Sequence, residues 1–185
     1  MKHFLKICVV LTLVCTLMAT ALALINGVTA PLIRKNETEK RAEILEAFFP
    51  EMEGEYEVFD SAVDGVACIY AVRGAENTLL GYCAEVTKVG YAGNVNMMVA
   101  LTQEQKILGV SLVSHSETKG LSDGKLANAL CESFEGKEGQ QKLTSRGGEI
   151  DGIAGATYSS RAVLEGVNAA VEAVELLKEG AKSSS

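Results

Sequence analysis

Met97-Met98-Val99-Ala100-Leu101, then the polar Thr102-Gln103-Glu104-Gln105-Lys106, then Ile107-Leu108-Gly109-Val110-Ser111-Leu112-Val113 is the stretch on which the fold turns. Two short apolar runs joined by a polar segment predict a β-hairpin. Strand-like runs continue upstream over residues 66–72 and 79–89, and the hairpin strands themselves cover 94–101 and 107–114. A short helix is expected over 122–134, followed by a polar loop through Gly148 and a long final helix. In that helix Val163, Val167, Ala170, Val171, Val174 and Leu177 recur at helical spacing, while Arg161, Glu165, Asn168, Glu172 and Glu175 fall elsewhere, giving one apolar stripe for packing on a sheet. Strands grouped before helices predict an α+β domain with an antiparallel sheet and packed helices, rather than a doubly wound fold.

Outward from this domain, the N-terminal head carries no full charge over residues 7–33. Its core, residues 7–25, would span about 28 Å as a helix, enough to cross a bilayer. A cleaved secretory signal is the rival reading, with Lys2 and Lys6 as its basic start and Ala21-Leu22-Ala23 as a small-x-small cleavage site. The apolar run continues past Ala23 through Leu24 and Ile25, which favours a retained transmembrane helix. A lipoprotein signal is disfavoured because the bulky Val14 precedes Cys15. Lys2, His3 and Lys6 place the N-terminus inside, although Arg34, Lys35, Lys40 and Arg41 at the far end weaken the asymmetry. The expected organisation is a tail and transmembrane helix at 1–33, a juxtamembrane helix and linker at 34–55, an extracytoplasmic domain at 56–180 and a polar tail at 181–185. Within the second segment, a helix over 36–49 ends before Pro50.

The chain of 185 residues has 17 Lys and Arg against 24 Asp and Glu, a net charge of -7. With two of its lysines in the membrane head, the remainder is more acidic still, which repels phosphate backbones and excludes nucleic acid as a partner. Of five cysteines, Cys8 and Cys15 lie in the head and Cys68, Cys83 and Cys131 in apolar surroundings beyond it, with no C-x-x-C pair. Buried thiols are expected, and neither a metal site nor a disulfide framework.

The chemistry concentrates in two segments. Asp151-Gly152-Ile153-Ala154-Gly155-Ala156-Thr157-Tyr158-Ser159-Ser160 stands immediately before the final helix. Small residues permit close backbone approach, and the positive end of the helix dipole favours an anion beside Thr157, Ser159 and Ser160. A plain glycine loop with a serine N-cap fits the same residues, and the missing lysine excludes a Walker loop. The second segment, His115-Ser116-Glu117-Thr118-Lys119-Gly120-Leu121-Ser122-Asp123, leaves the hairpin at a strand end, where ligand contacts are favourably placed. It reads equally as a turn before a capped helix, with Ser122 as cap and Asp123 in the first turn.

Together the two segments resemble the FMN-binding domain of the G subunit of Rnf-type electron-transport complexes and of the related C subunit of sodium-pumping NADH:quinone reductases. In that family a threonine in an Asp-Gly-x-Ser/Thr-Gly-Ala-Thr pattern carries FMN through a phosphoester. Asp151, Gly152, Gly155, Ala156 and Thr157 match it, and His115, Glu117, Thr118, Gly120 and Leu121 match the family's His-x-Glu-Thr-x-Gly-Leu run. The likeness extends to the membrane head and its Thr29-Ala30-Pro31-Leu32-Ile33 exit, with Ala154 replacing the usual hydroxyl residue. It implies FMN phosphoester-linked to Thr157, with His115, Glu117, Thr118, Gly120, Leu121, Gly155, Ala156, Tyr158, Ser159 and Ser160 as cofactor-binding residues. Glu117, Thr118 and Leu121 would lie at the ring or its polar edge, and Ser159 and Ser160 near the phosphate. It further implies a flavin transferase for maturation, other membrane and peripheral subunits as partners, and electron relay between ferredoxin and NAD coupled to Na+ or H+ transport. No residue is assigned a catalytic role in the isolated chain.

Two other functions remain open on the residues. A stand-alone membrane-anchored flavin reductase would turn over a soluble substrate, and a flavin-free binding or sensory module would leave Thr157 bare.

Overall fold

The computed structural model describes residues 2–117 and 120–183. The chain forms two units, Met1–Glu39 and Lys40–Ser185. The described residues of the first are helical, as part of α1 (Lys2–Phe48). Within it, Val9–Gly27 is long and apolar enough to cross a membrane. The hydroxyls of Thr16 and Thr20 donate to the carbonyls of Thr12 and Thr16, each at 2.8 Å. Hydroxyls satisfied one turn back add little polarity to a lipid-facing helix. The helix also continues past Pro31, where the sequence suggested separate transmembrane and juxtamembrane helices. Proline lacks only one N–H bond there, and the helix formers that follow sustain the turn.

The second unit is built on a five-stranded antiparallel meander: β1 (Met52–Asp60), β2 (Val66–Gly74), β3 (Leu79–Val89), β4 (Asn94–Thr102) and β5 (Ile107–His115), in that order across the sheet. The hairpin pairs as expected, with Met98 opposite Ser111 and Val99 opposite Val110. β1 is a strand where the sequence suggested linker, so the sheet begins ahead of residue 56. Its sequence, rich in glutamate at Glu53 and Glu57, suits an edge strand whose charge discourages further pairing.

α2 (Gly124–Glu132) and α3 (Thr157–Ser183) follow the sheet. Val163, Val167, Ala170, Val171 and Val174 of α3 are buried with Val86, Val95, Met97, Val99 and Leu101 of β3 and β4 in one core. The opposite face of the sheet takes the end of α1 and the residue after it, where Ile44, Leu45 and Phe49 join Val72, Cys83, Met98 and Val113. There Arg41 pairs with Glu85 at 2.6 Å, and Tyr70 donates to the same carboxylate at 3.2 Å. The sheet is thus covered on both faces, which leaves the loops at its ends to carry a site.

α2 is capped by Asp123, whose carboxylate accepts from the N–H groups of Lys125 and Leu126 at 3.0 and 3.4 Å. Ser122 is not the cap; its hydroxyl donates to the Glu117 carbonyl. Asp123→Ala is therefore expected to cost about 1 kcal/mol, read as a lowered thermal midpoint, with Ser122→Ala leaving the α2 cap intact. Of the described cysteines Cys83 and Cys131 are buried free thiols, and desolvation pushes Cys131 up to about 12. Neither forms a disulfide.

Candidate functional site

Tyr91, Glu117 and the run from Gly155 to Ser159 surround a cleft of about 520 Å³ at one end of the sheet. A volume of that order accommodates a small cofactor. The cleft is assembled from three loops: the β3–β4 turn at Tyr91, the exit of β5 at Glu117, and the start of α3.

The α3 end is shaped by two features of backbone chemistry. Gly155 adopts φ +76°, a left-handed conformation that turns the chain into the helix at low steric cost. Ser160 donates the first backbone bond of the helix, its N–H reaching the Ala156 carbonyl at 2.9 Å. The N–H groups of Thr157, Tyr158 and Ser159 precede that bond and lie at the positive end of the dipole. Thr157 itself is exposed and lines the cleft.

Glu117 ties the three loops together. It is only 6% exposed, yet both carboxylate oxygens are engaged: Oε2 accepts from the Ser159 hydroxyl at 2.5 Å, and Oε1 from Ala92 N–H at 3.0 Å. Desolvation pushes the carboxyl pKa up, while bonds from Ser159 and from the N–H groups of Ala92, Tyr91 and Gly93 pull it down, and the balance lies below the ordinary carboxylate value. Glu117 is therefore anionic at neutral pH and acts chiefly as a brace between loops. A folded-state pKa below the unfolded one stabilises the fold above the unfolded value, and that contribution is lost as pH falls through the folded value. The thermal midpoint should drop on acidification below the ordinary carboxylate range, with a shallower drop in Glu117→Gln.

The other residues singled out from the sequence divide sharply. Gly120 has φ +75° and sits so close to the α3 loop that a Cβ on it would meet the Ala156 Cβ at 2.3 Å. The two segments are thus in contact, with Ala156 buried between them. Leu121 is only 2% exposed and belongs to the core, away from the cleft lining. Ser160 is fully buried, and its hydroxyl accepts from Ile153 N–H at 2.9 Å and donates to the Ala156 carbonyl at 3.0 Å, holding the loop rather than facing the cleft. His115 pairs with Val95 at the end of β5, is half-buried and is not among the described residues lining the cleft, and among the described residues its buried Nδ1 has no partner. Thr118 lies outside the described residues. Among those described, no cluster of His, Cys, Asp and Glu could hold a metal ion.

Two aromatic residues complete the rim. Tyr91 is 75% exposed and Tyr158 65% exposed, with ring centroids 6.3 Å apart. Tyr91 does not stand out in the sequence because it sits in a short turn, Gly90-Tyr91-Ala92-Gly93, far along the chain from Thr157. Its signal was an isolated large aromatic in a loop of small residues, where no core position calls for one.

Residues 90–172 match the family model described as the FMN-binding domain, an interval that contains every residue lining the cleft. The chain is 32% identical to the G subunit of the ion-translocating oxidoreductase complex of Stutzerimonas stutzeri, over 88% of its own length and 77% of that protein. It is 30% identical to the G subunit of the proton-translocating ferredoxin:NAD(+) oxidoreductase complex of Clostridium ljungdahlii, covering 89% and 88% of the two chains. For the G subunit of the Na(+)-translocating ferredoxin:NAD(+) oxidoreductase complex of Acetobacterium woodii the identity is 26%, over 95% and 94%. An FMN-binding domain behind an apolar helix, with likeness running nearly end to end, makes this chain a member of the family of G subunits of ion-translocating oxidoreductase complexes.

Proposed function

We propose that the chain is the electron-relay subunit of a membrane ferredoxin:NAD oxidoreductase complex and carries FMN phosphoester-linked to Thr157. The observation that carries this reading is the exposed Thr157 on the first turn of α3, a residue lining a cofactor-sized cleft beside three N–H groups that precede the helical bonding pattern. Those residues fit an FMN phosphate: a hydroxyl able to form the ester, donors at a helix N-terminus, and exposed aromatic rings at the rim. When bound, FMN supplies the redox chemistry, and the protein's part is to place it and exclude competing reactions.

Each residue then has a task. Thr157 provides the oxygen of the ester. Gly155 and the Gly120–Ala156 contact set the loop so that this oxygen faces the cleft, and Glu117 fixes the distance between the β3–β4 turn and α3. Tyr91 and Tyr158 flank the cleft and would offer aromatic faces to a flavin held there. Glu117 sits too deep, and is too fully hydrogen-bonded, to take a proton in each cycle.

Among the described residues no neighbouring base stands ready to activate the threonine: the Glu117 carboxylate is already engaged by Ser159 and Ala92. A separate flavin transferase therefore makes the bond from FAD. The Thr157 oxygen displaces AMP at the FMN phosphorus, the pyrophosphate bond breaks, and the hydroxyl proton is lost to solvent or the transferase. Covalent attachment suits a domain on the outer face of the cytoplasmic membrane, where a weakly held flavin would diffuse away and a tethered one keeps a high effective concentration. In this reading residues 1–33 anchor the chain with its N-terminus inside, 34–55 lead into the domain at 56–180, and 181–185 form a polar tail. Other membrane and peripheral subunits supply the electron donor and acceptor, with Na+ or H+ as the coupled ion.

The test is intact mass of the full chain made with and without a flavin transferase. A gain of one FMN phosphoryl group only in the presence of the enzyme supports the relay, and an unchanged mass in both preparations refutes it.

A further inference from the structure

We infer that Arg161 is the countercharge that holds the phosphate of the flavin on Thr157; the inference rests on the attachment proposed above. A phosphate esterified to two alcohols retains one ionised oxygen, so one cation suffices to balance it. The described lining of the cleft offers no such charge. None of its described lining residues is basic, and Glu117 contributes a negative charge to its wall.

Arg161 is placed to answer this. It follows Thr157 by four residues on α3, which puts the two side chains on one face about a turn apart. Long helical side chains lean toward the N-terminus, so the guanidinium is directed at the Thr157 end. Its carbon lies 5.8 Å from the centroid of the Tyr158 ring, a cation–π contact that holds it against the cleft's rim.

The guanidinium also lacks an ion-pair partner among the described residues. Among the described residues its Nε is buried with no acceptor and no carboxylate lies within ion-pair distance. A buried N–H left unbonded is costly, and arginine's fork matches phosphate oxygens in a bidentate geometry. An arginine stacked on a rim aromatic, one turn behind the acceptor hydroxyl and without an acid to pair with, is suited to an anion that arrives with the cofactor. Tyr158 acts as its shelf.

The test compares the full chain in detergent, 15N-labelled at arginine, from hosts with and without a flavin transferase, with FMN content established by intact mass. The Arg161 Nε–H resonance, assigned by its absence in Arg161→Lys, is expected to move downfield and resist solvent exchange only in the flavin-bearing chain. A resonance unmoved in a chain shown to carry FMN overturns this inference and leaves the attachment standing. A chain that gains no FMN beside a competent transferase overturns both. In a second measurement, the phosphodiester 31P resonance of flavin-bearing Arg161→Gln should sharpen and shift toward that of a phosphodiester in water, with Arg161→Lys intermediate. No difference among the three chains would contradict the contact.

Discussion

Thr157→Ala is expected to abolish covalent flavin incorporation completely while leaving the fold unchanged. The side chain is exposed, so its removal opens no core cavity, and surface substitutions of this kind stay within about 0.5 kcal/mol. Its loss cannot be taken over by the neighbouring hydroxyls. Ser159 is 1% exposed and committed to Glu117, and Ser160 is fully buried and bonded to Ile153 and Ala156. Of these three hydroxyls, only the one at 157 can meet an incoming phosphorus. Thr157→Ser should retain incorporation, because the reacting oxygen stays at the same point on the helix. The measurement is in-gel flavin fluorescence alongside the thermal midpoint of each variant, and fluorescence retained by Thr157→Ala would show that another oxygen carries the cofactor.

Glu117→Ala is expected to be the most damaging substitution in the site, at about 3 kcal/mol. It strips acceptors from the Ser159 hydroxyl and the Ala92 N–H, both drawn together by that carboxylate, and leaves a void between the loops it braces. Glu117→Gln keeps the volume and one acceptor, and should cost less than half as much. Chemical denaturation of the flavin-free chain separates the two. Equal midpoints for Glu117→Ala and the parent chain would remove Glu117 from its role as a brace. Lower flavin incorporation in Glu117→Ala should follow the lost loop geometry, since the acceptor hydroxyl itself remains.

The elements legible in the sequence were those whose pattern is local. The central hairpin announced itself by two apolar runs around a polar turn, and α3 by its valine and alanine stripe, because both signals repeat within a few residues. The apolar head stood out for the same reason, read over residues 7–25 where the structure has Val9–Gly27. β1 did not, since its glutamates mimic a solvated linker and only pairing with β2 makes it a strand. Asp123 displaced Ser122 as the α2 cap because Ser122 found a competing partner in the Glu117 carbonyl, a contact that depends on how the preceding turn closes.

The site was legible as motifs and not as a cleft. Thr157 and its loop carry a pattern readable in one stretch, and the structure sets them at the cleft as a group. The chemistry of their neighbours depends on burial, which no spacing discloses. Leu121 and Ser160 look available in a string of polar and small residues, yet the fold sends one into the core and uses the other to fasten the loop. Glu117 lines the cleft and is also a buried strut between its loops, a second task that no spacing discloses. Tyr91 reaches the cleft only because β3 and β4 turn back beside α3, so nothing in its own surroundings ties it to Thr157.

One phosphoester at Thr157 is what would give this subunit its flavin, and peptide mapping of the full chain made beside a flavin transferase puts that bond to the test. The flavin-bearing fragment, sequenced by tandem mass spectrometry, is expected to carry FMN on Thr157 with Ser159 and Ser160 unmodified. FMN on either serine, or a bare Thr157 in material from a host able to form the bond, would contradict it.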